Sequence, residues 1–132
     1  MPYSVNGIYH DDMVWAVEYT DEFGAWFGTL NEAVQDDIDR LVGVLEVKGP
    51  QLPFPHSSGI ESSRHDHMRE LRVQSGGHPY RIFYAFDPRR AAILLVGGNK
   101  AGDDRFYERT VPVADALYDT HIDELKKEGL IP

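Results

Sequence analysis

Arginine recurs at Arg69, Arg72 and Arg81 within MRELRVQSGGHPYRIFYAF (residues 68–86), on two strand-like runs around a Ser-Gly-Gly-His-Pro turn. A guanidinium stays charged and offers five donors in a rigid fork, so arginines gathered on one surface focus a field on an anion. The chain as a whole is acidic, with a formal net charge of −9. Residues 64–109 nevertheless carry nine basic side chains against six acidic ones, a local +3 that leaves −12 for the rest. The competing use of these arginines is ordinary pairing with Glu70, Asp66 or other carboxylates.

Other groups offer less. His65-Asp66-His67 places two imidazoles two residues apart, which can share an ion, but nothing at a recognisable spacing completes a set of three or four ligands. One of these histidines would instead serve as a general acid or base on a loop beside the arginine-bearing face. Cysteine is absent, which removes disulfides, thiolate zinc sites and a cysteine nucleophile. The stretch VGGN is too short and wrongly placed for a dinucleotide-binding loop. Trp15 and Trp26 read as core residues.

These side chains need a scaffold. Met13–Tyr19 (MVWAVEY) alternates as a first strand. Phe23, Trp26, Phe27 and Leu30 form one stripe of a helix capped by Thr20 or Asp21. Asn31 can cap a second helix whose apolar face is Val34, Ile38, Leu41 and Leu45, ended by Gly49-Pro50. The proline-rich stretch 50–65 reads as an ordered surface loop. Strands over Arg69–Gln74, Tyr80–Phe86 and Ala92–Gly97 then form an antiparallel meander. A last helix begins with Pro112 in its first turn and carries Ala114, Leu117, Tyr118, Ile122 and Leu125 on one face. The expected fold is α+β, two N-terminal helices and a C-terminal helix packed on a small antiparallel sheet. All helices would lie on one sheet face, leaving the other free for a ligand.

Strand alternation places the arginines. Leu71 and Val73 share one face of their strand, and Glu70, Arg72 and Gln74 the other; on the next strand Ile82 and Tyr84 oppose Arg81, Phe83 and Ala85. With the aliphatic faces toward the helices, Arg72 and Arg81 project together from the free face. One domain over 1–132, with its core at about 13–127, accounts for the whole chain. At 42% hydrophobic and 27% charged residues it has a soluble globular composition. MPYSVNGIYHDD has no signal-peptide pattern and no apolar run is long enough to span a bilayer, so a soluble cytoplasmic protein is expected, with no membrane partner.

The proline-bearing loop with its following glycine, ELRV, YRIFY, ILLVGG followed by a lysine, and RFYER occur in an order that resembles the RelE/ParE toxin superfamily of bacterial type II toxin–antitoxin modules. The likeness is nearest to the HigB-like branch related to phage-derived proteins, and runs from about Val14 to Leu125. It implies a RelE-like fold and a metal-independent, cofactor-free endoribonuclease that cuts messenger RNA on the ribosome and so inhibits translation. In such an enzyme a 2′-hydroxyl attacks the neighbouring phosphate, and arginines hold the charged phosphorane.

By this resemblance Arg81 matches the arginine of the Tyr-Arg strand and would clamp the phosphate. Arg72 matches the ELR position and would hold the phosphate or adjacent backbone. Lys100 would offset charge, and Tyr107 would stack on a base or transfer a proton. Arg69, Arg105, His65 and His67 are further candidates for RNA contact, and no residue is assigned to a metal. Ala101 stands where several relatives carry a second basic residue, with Arg105 as a substitute from the following turn. A cognate helix-turn-helix antitoxin, forming a toxin–antitoxin hetero-oligomer, is the implied partner. Two other expectations share the scaffold: a ParE-like gyrase-inhibiting binding protein that cuts no RNA, and a catalytically decayed toxin acting only as an antitoxin-binding module.

Overall fold

A computed structural model describes residues 14–132. The N-terminal stretch in which no signal peptide is expected, and the first residue of the expected first strand, lie outside them. Strand β1 (Val17–Tyr19) leads into helix α1 (Asp21–Phe27), which Thr20 caps by accepting a hydrogen bond from the Phe23 N–H. The Thr20 hydroxyl also donates to the Leu95 carbonyl at 2.7 Å, tying the helix start to the sheet. Helix α2 (Glu32–Lys48) begins at Asn31, whose side chain accepts from the Val34 N–H at 3.0 Å. Such a cap contributes about 1 kcal/mol. Gly49 closes the helix at φ 60°, with the ring of Trp15 packed where a Cβ would stand, and a single 3₁₀ turn (Gly49–Gln51) follows.

Among the described residues the sheet holds five strands in the order β1-β5-β4-β3-β2. Strand β2 (Ser57–Gly59) lies inside the proline-rich stretch read as loop, and β3 (Arg69–Ser75), β4 (His78–Phe86) and β5 (Ala92–Asn99) form the expected meander. Gly76 and Gly77, both at positive φ, make the two-residue turn between β3 and β4. The sheet is mixed, not antiparallel throughout: β1 runs parallel to β5, with Val17 opposite Ala92. The chain that leaves β1 passes through both N-terminal helices and the hairpin before β5 returns beside it, which permits a parallel pairing.

Helices occupy both faces of this sheet. Phe23, Ile38, Leu41 and Leu45 of α1 and α2 pack on Leu71, Ile82, Tyr84 and Leu94. Helix α3 (Phe106–Lys127) packs on the opposite face, where Phe106, Val111, Ala114 and Tyr118 meet Phe83, Ala85, Ile93 and Leu95. The expectation of one free face is therefore corrected. Phe83 and Ala85 share that face with Arg81 and are apolar enough to require cover; Phe83 is 0% exposed. Only the part of the face beside Arg72 and Arg81 is left for polar chemistry. Helix α3 also starts six residues before Pro112, which sits inside it and withholds a donor from the Glu108 carbonyl.

Two adjacent glycines set the spacing of the layers. A Cβ on Gly97 would collide with the Trp26 ring on one face, and one on Gly98 would stand 2.8 Å from Phe106 on the other. The VGG run is thus a packing device that lets α1 and the start of α3 approach the sheet closely.

Candidate active site

In the β3–β4 ladder Arg72 lies directly opposite Arg81, and Glu70 opposite Phe83. Alternation then puts Glu70, Arg72, Arg81 and Phe83 on the α3 side of the sheet. The first turn of α3 adds Tyr107, whose ring meets Phe83 edge-on with centroids 5.9 Å apart. Phe106 stacks on the same Phe83 and nests over Gly98, so the glycine and the phenylalanine together locate Tyr107.

Glu70 is the hub. It is 4% exposed, and the Tyr107 hydroxyl donates to its Oε1 at 2.7 Å. Its Oε2 accepts from Ser58 Oγ at 2.8 Å and from Arg72 Nη1 at 3.3 Å. Arg81 lies alongside, its Nε 3.6 Å from Glu70 Oε1. That is ion-pair range but not a hydrogen bond, and Arg81 Nε is the one buried side-chain polar atom among the described residues without a partner. Arg81 Nη1 donates to the Tyr80 carbonyl at 3.0 Å, which fixes the guanidinium against its own strand. Burial, then the hydrogen bond to Glu70 and its charge, hold the Tyr107 phenol above its ordinary value, so it remains protonated at neutral pH.

Lys100 follows β5 and places its ammonium 5.8 Å from the centre of the Tyr107 ring. Arg72, Arg81, Lys100 and Tyr107 thus come together. Arg69 does not join them: it is paired with Tyr84 on the other face, and its Nε donates to Ser57 Oγ at 2.9 Å. Arg105 precedes α3 with an exposed side chain whose Nε lies 3.8 Å from Glu108. His65 and His67 pack on Tyr118 in the middle of α3; His65 Nε2 lies 2.9 Å from Asp119, and His67 Nε2 3.1 Å from the Tyr118 hydroxyl. They anchor the 60–68 loop to the helix and stand outside the Glu70 network.

A cleft of about 470 Å³ opens beside this network, between α2 and the end of β3. Arg40, His56, Arg72 and Arg81 line it, with Asp37 as its carboxylate. Sequence reasoning treated Glu70 only as a pairing partner and did not single out His56. Glu70 had a readable signal, since it shares strand parity with Arg72; His56 had none, because its loop shows no periodicity. Among the described residues no group of three or more His, Cys, Asp or Glu is placed to hold a metal ion. No helix there is long and apolar enough to cross a membrane.

Comparison with known proteins supplies the family. The profile described as phage derived protein Gp49-like matches residues 25–119. The putative toxin HigB2 of Mycobacterium tuberculosis is 35% identical over 114 residues, covering 85% of this chain and 56% of that protein. The chain therefore spans little more than half of that relative's length. The putative toxin HigB3 of the same organism is 41% identical over 91 residues, 68% of this chain and 78% of that protein. Among solved structures, a mutant of the E. coli toxin RelE in the free state superposes with a TM-score of 0.54 at 10% identity, covering 73% of this chain and 94% of that one. A chain of the archaeal RelE–RelB complex from Pyrococcus horikoshii gives 0.52 at 14% identity, covering 68% of this chain and 99% of that one. The fold is that of RelE, and the chain belongs to the Gp49-like family of phage-derived proteins, with the putative HigB toxins among its relatives.

Proposed function

We propose that the protein is the toxin of a toxin–antitoxin module and acts as an endoribonuclease on messenger RNA held by the ribosome. The observation that carries this reading is the pair Arg72 and Arg81, opposite one another on β3 and β4, with the Tyr107 hydroxyl brought to the same carboxylate as Arg72. Cleavage needs a proton taken from a 2′-hydroxyl, a stabilised phosphorane and a proton given to the leaving 5′-oxygen. Arg81 donates one hydrogen bond, from Nη1 to the Tyr80 carbonyl, so its fork keeps further donors for a phosphate oxygen. Arg72, partly exposed beside it, supplies the second fork.

Tyr107 stays protonated and suits donation to the leaving oxygen or to the phosphorane. Glu70 orients that phenol and Arg72 together, and its charge is balanced by the arginines until substrate arrives. Lys100 adds positive potential next to the phenol. His56, exposed in the cleft with both arginines, is the group for proton removal. All of these roles are met by side chains, with no metal or cofactor required. A cytoplasmic setting follows from the target.

The family and the RelE–RelB likeness also support a cognate antitoxin, proposed here as a helix-turn-helix protein that binds this chain in a hetero-oligomer. The test is incubation with translating ribosomes and mapping of messenger 5′ ends. Cleavage by the wild type and its loss in Arg81→Lys support the reading; absent or equal cleavage rejects it.

A further inference from the structure

Phe54 is 66% exposed although the chain around it is firmly held. Leu52, 2% exposed, anchors one side of the loop. On the other, the N–H groups of His56 and Ser57 both donate to the Pro53 carbonyl at 3.1 Å, and the Arg72 N–H donates to the His56 carbonyl at 2.9 Å. The ring is therefore displayed by an anchored loop. Its one cationic neighbour among the described residues is Arg72, whose Cζ lies 5.0 Å from the ring centre. That same guanidinium reaches Glu70 at 3.3 Å, so Arg72 bridges the aromatic ring and the Glu70–Arg81 network. Pro55 and His56, the next residues of the loop, line the arginine-walled cleft.

An exposed aromatic face beside a phosphate-binding fork is the pairing by which proteins hold single-stranded RNA: the base stacks on the ring while the backbone is held by the cation. We infer that Phe54 is a stacking platform for the base next to the scissile phosphate, with Arg72 held between that base's platform and the phosphate site. The inference rests on the nuclease reading for its ligand class. Three arginines in the cleft wall outnumber Asp37 and the buried Glu70 behind them, and this remaining positive charge favours a polyanion over a neutral peptide as its occupant. Stacking selects by ring size and geometry, so Phe54 also biases which nucleotide is presented for cleavage, favouring purines over pyrimidines.

The test uses the full chain and uncleavable 2′-O-methyl hexanucleotides, one purine-rich and one pyrimidine-rich, with affinity measured across a range of salt. Phe54→Ala is expected to weaken binding by about tenfold to a hundredfold while leaving the slope of log affinity against log salt unchanged. Phe54→Trp is expected to restore or exceed wild-type affinity. Arg72→Ala is expected to lower the slope by about one phosphate contact. Wild-type affinity in Phe54→Ala, a slope change in that variant, or no measurable binding by the wild type overturns the inference. So does a Phe54→Ala variant that loses only the binding of a partner protein, which would make the ring a protein-docking site. Ribosomal cleavage measured on the same preparations separates the two readings: cleavage with an unaltered Phe54→Ala rejects stacking alone. Oligonucleotide binding that depends on Phe54, without cleavage, rejects the nuclease alone.

Discussion

Two buried carboxylates, Glu70 on β3 opposite Phe83 and Asp87 just past the end of β4, are each 4% exposed. Both gather arginine, yet they are finished differently. Asp87 accepts from the Arg89 backbone N–H at 2.8 Å, from the Arg89 side chain at 2.7 Å and 3.2 Å, and from His121 Nε2 at 2.9 Å. Arg89 is then closed off by Glu18 at 2.8 Å and 3.2 Å. Every donor in the cluster that the fold brings inward is matched, and it staples the β4–β5 turn to α3 and β1. Around Glu70, by contrast, Arg81 Nε has no partner and Arg72 turns one side toward an exposed ring and an open cleft. Residual hydrogen-bonding capacity, not charge, separates the site from the staple.

The largest effect should come from the unfinished cluster. Arg81→Lys keeps the charge but loses the fork, and cleavage on translating ribosomes is expected to fall about 10²- to 10³-fold. Its thermal midpoint should stay near that of the wild type. Arg89→Lys in the finished cluster should reverse the pattern, with cleavage per folded molecule unchanged. A rate loss of similar size in both variants would erase the distinction.

Removing the carboxylate of the staple comes next. Asp87→Ala leaves His121 and the backbone N–H groups of Arg89 and Ala91 without their acceptor, for a loss of about 2–3 kcal/mol in chemical denaturation. Cleavage by the folded fraction should persist. A smaller loss, about 1–3 kcal/mol, is expected for Gly98→Ala, because the new methyl group meets Phe106. That variant should lower the cleavage rate as well, since Phe106 and Phe83 locate Tyr107. A stability loss with an unchanged rate would uncouple the glycine from the site.

These contrasts also mark how far the residues alone could be read. Alternation put Arg72 and Arg81 on one face because each strand interleaves aliphatic and polar side chains, and the two-residue Gly-Gly turn then sets them opposite each other. It failed on the far half of β4, where Phe83 and Ala85 are as buried as Ile82 and Tyr84. A strand covered on both sides loses the alternation that would reveal its second layer. The parallel pairing of β1 and the three-residue β2 were illegible for a related reason: short edge strands are specified by their neighbours more than by their own pattern. Glu70 was visible as a residue but not as a hub, because Ser58 and Tyr107 reach it from 12 and 37 positions away.

The smallest effect concerns acid. Burial alone would raise the Asp87 carboxyl, but the hydrogen bonds from Arg89 and His121 outweigh it and hold the group below its ordinary value. A carboxyl lower in the folded chain than in the unfolded one stabilises the fold fully above the unfolded value, about 3.9, and loses that contribution as pH falls through the folded value. The thermal midpoint of the wild type should therefore drop on acidification below about pH 4. In Asp87→Asn the same acid limb should be shallower, starting from a lower midpoint at neutral pH, because that variant has no carboxyl to protonate there. An acid limb of unchanged depth in Asp87→Asn would mean that the staple does not draw its stability from the ionised carboxylate, and the two clusters would differ in geometry alone.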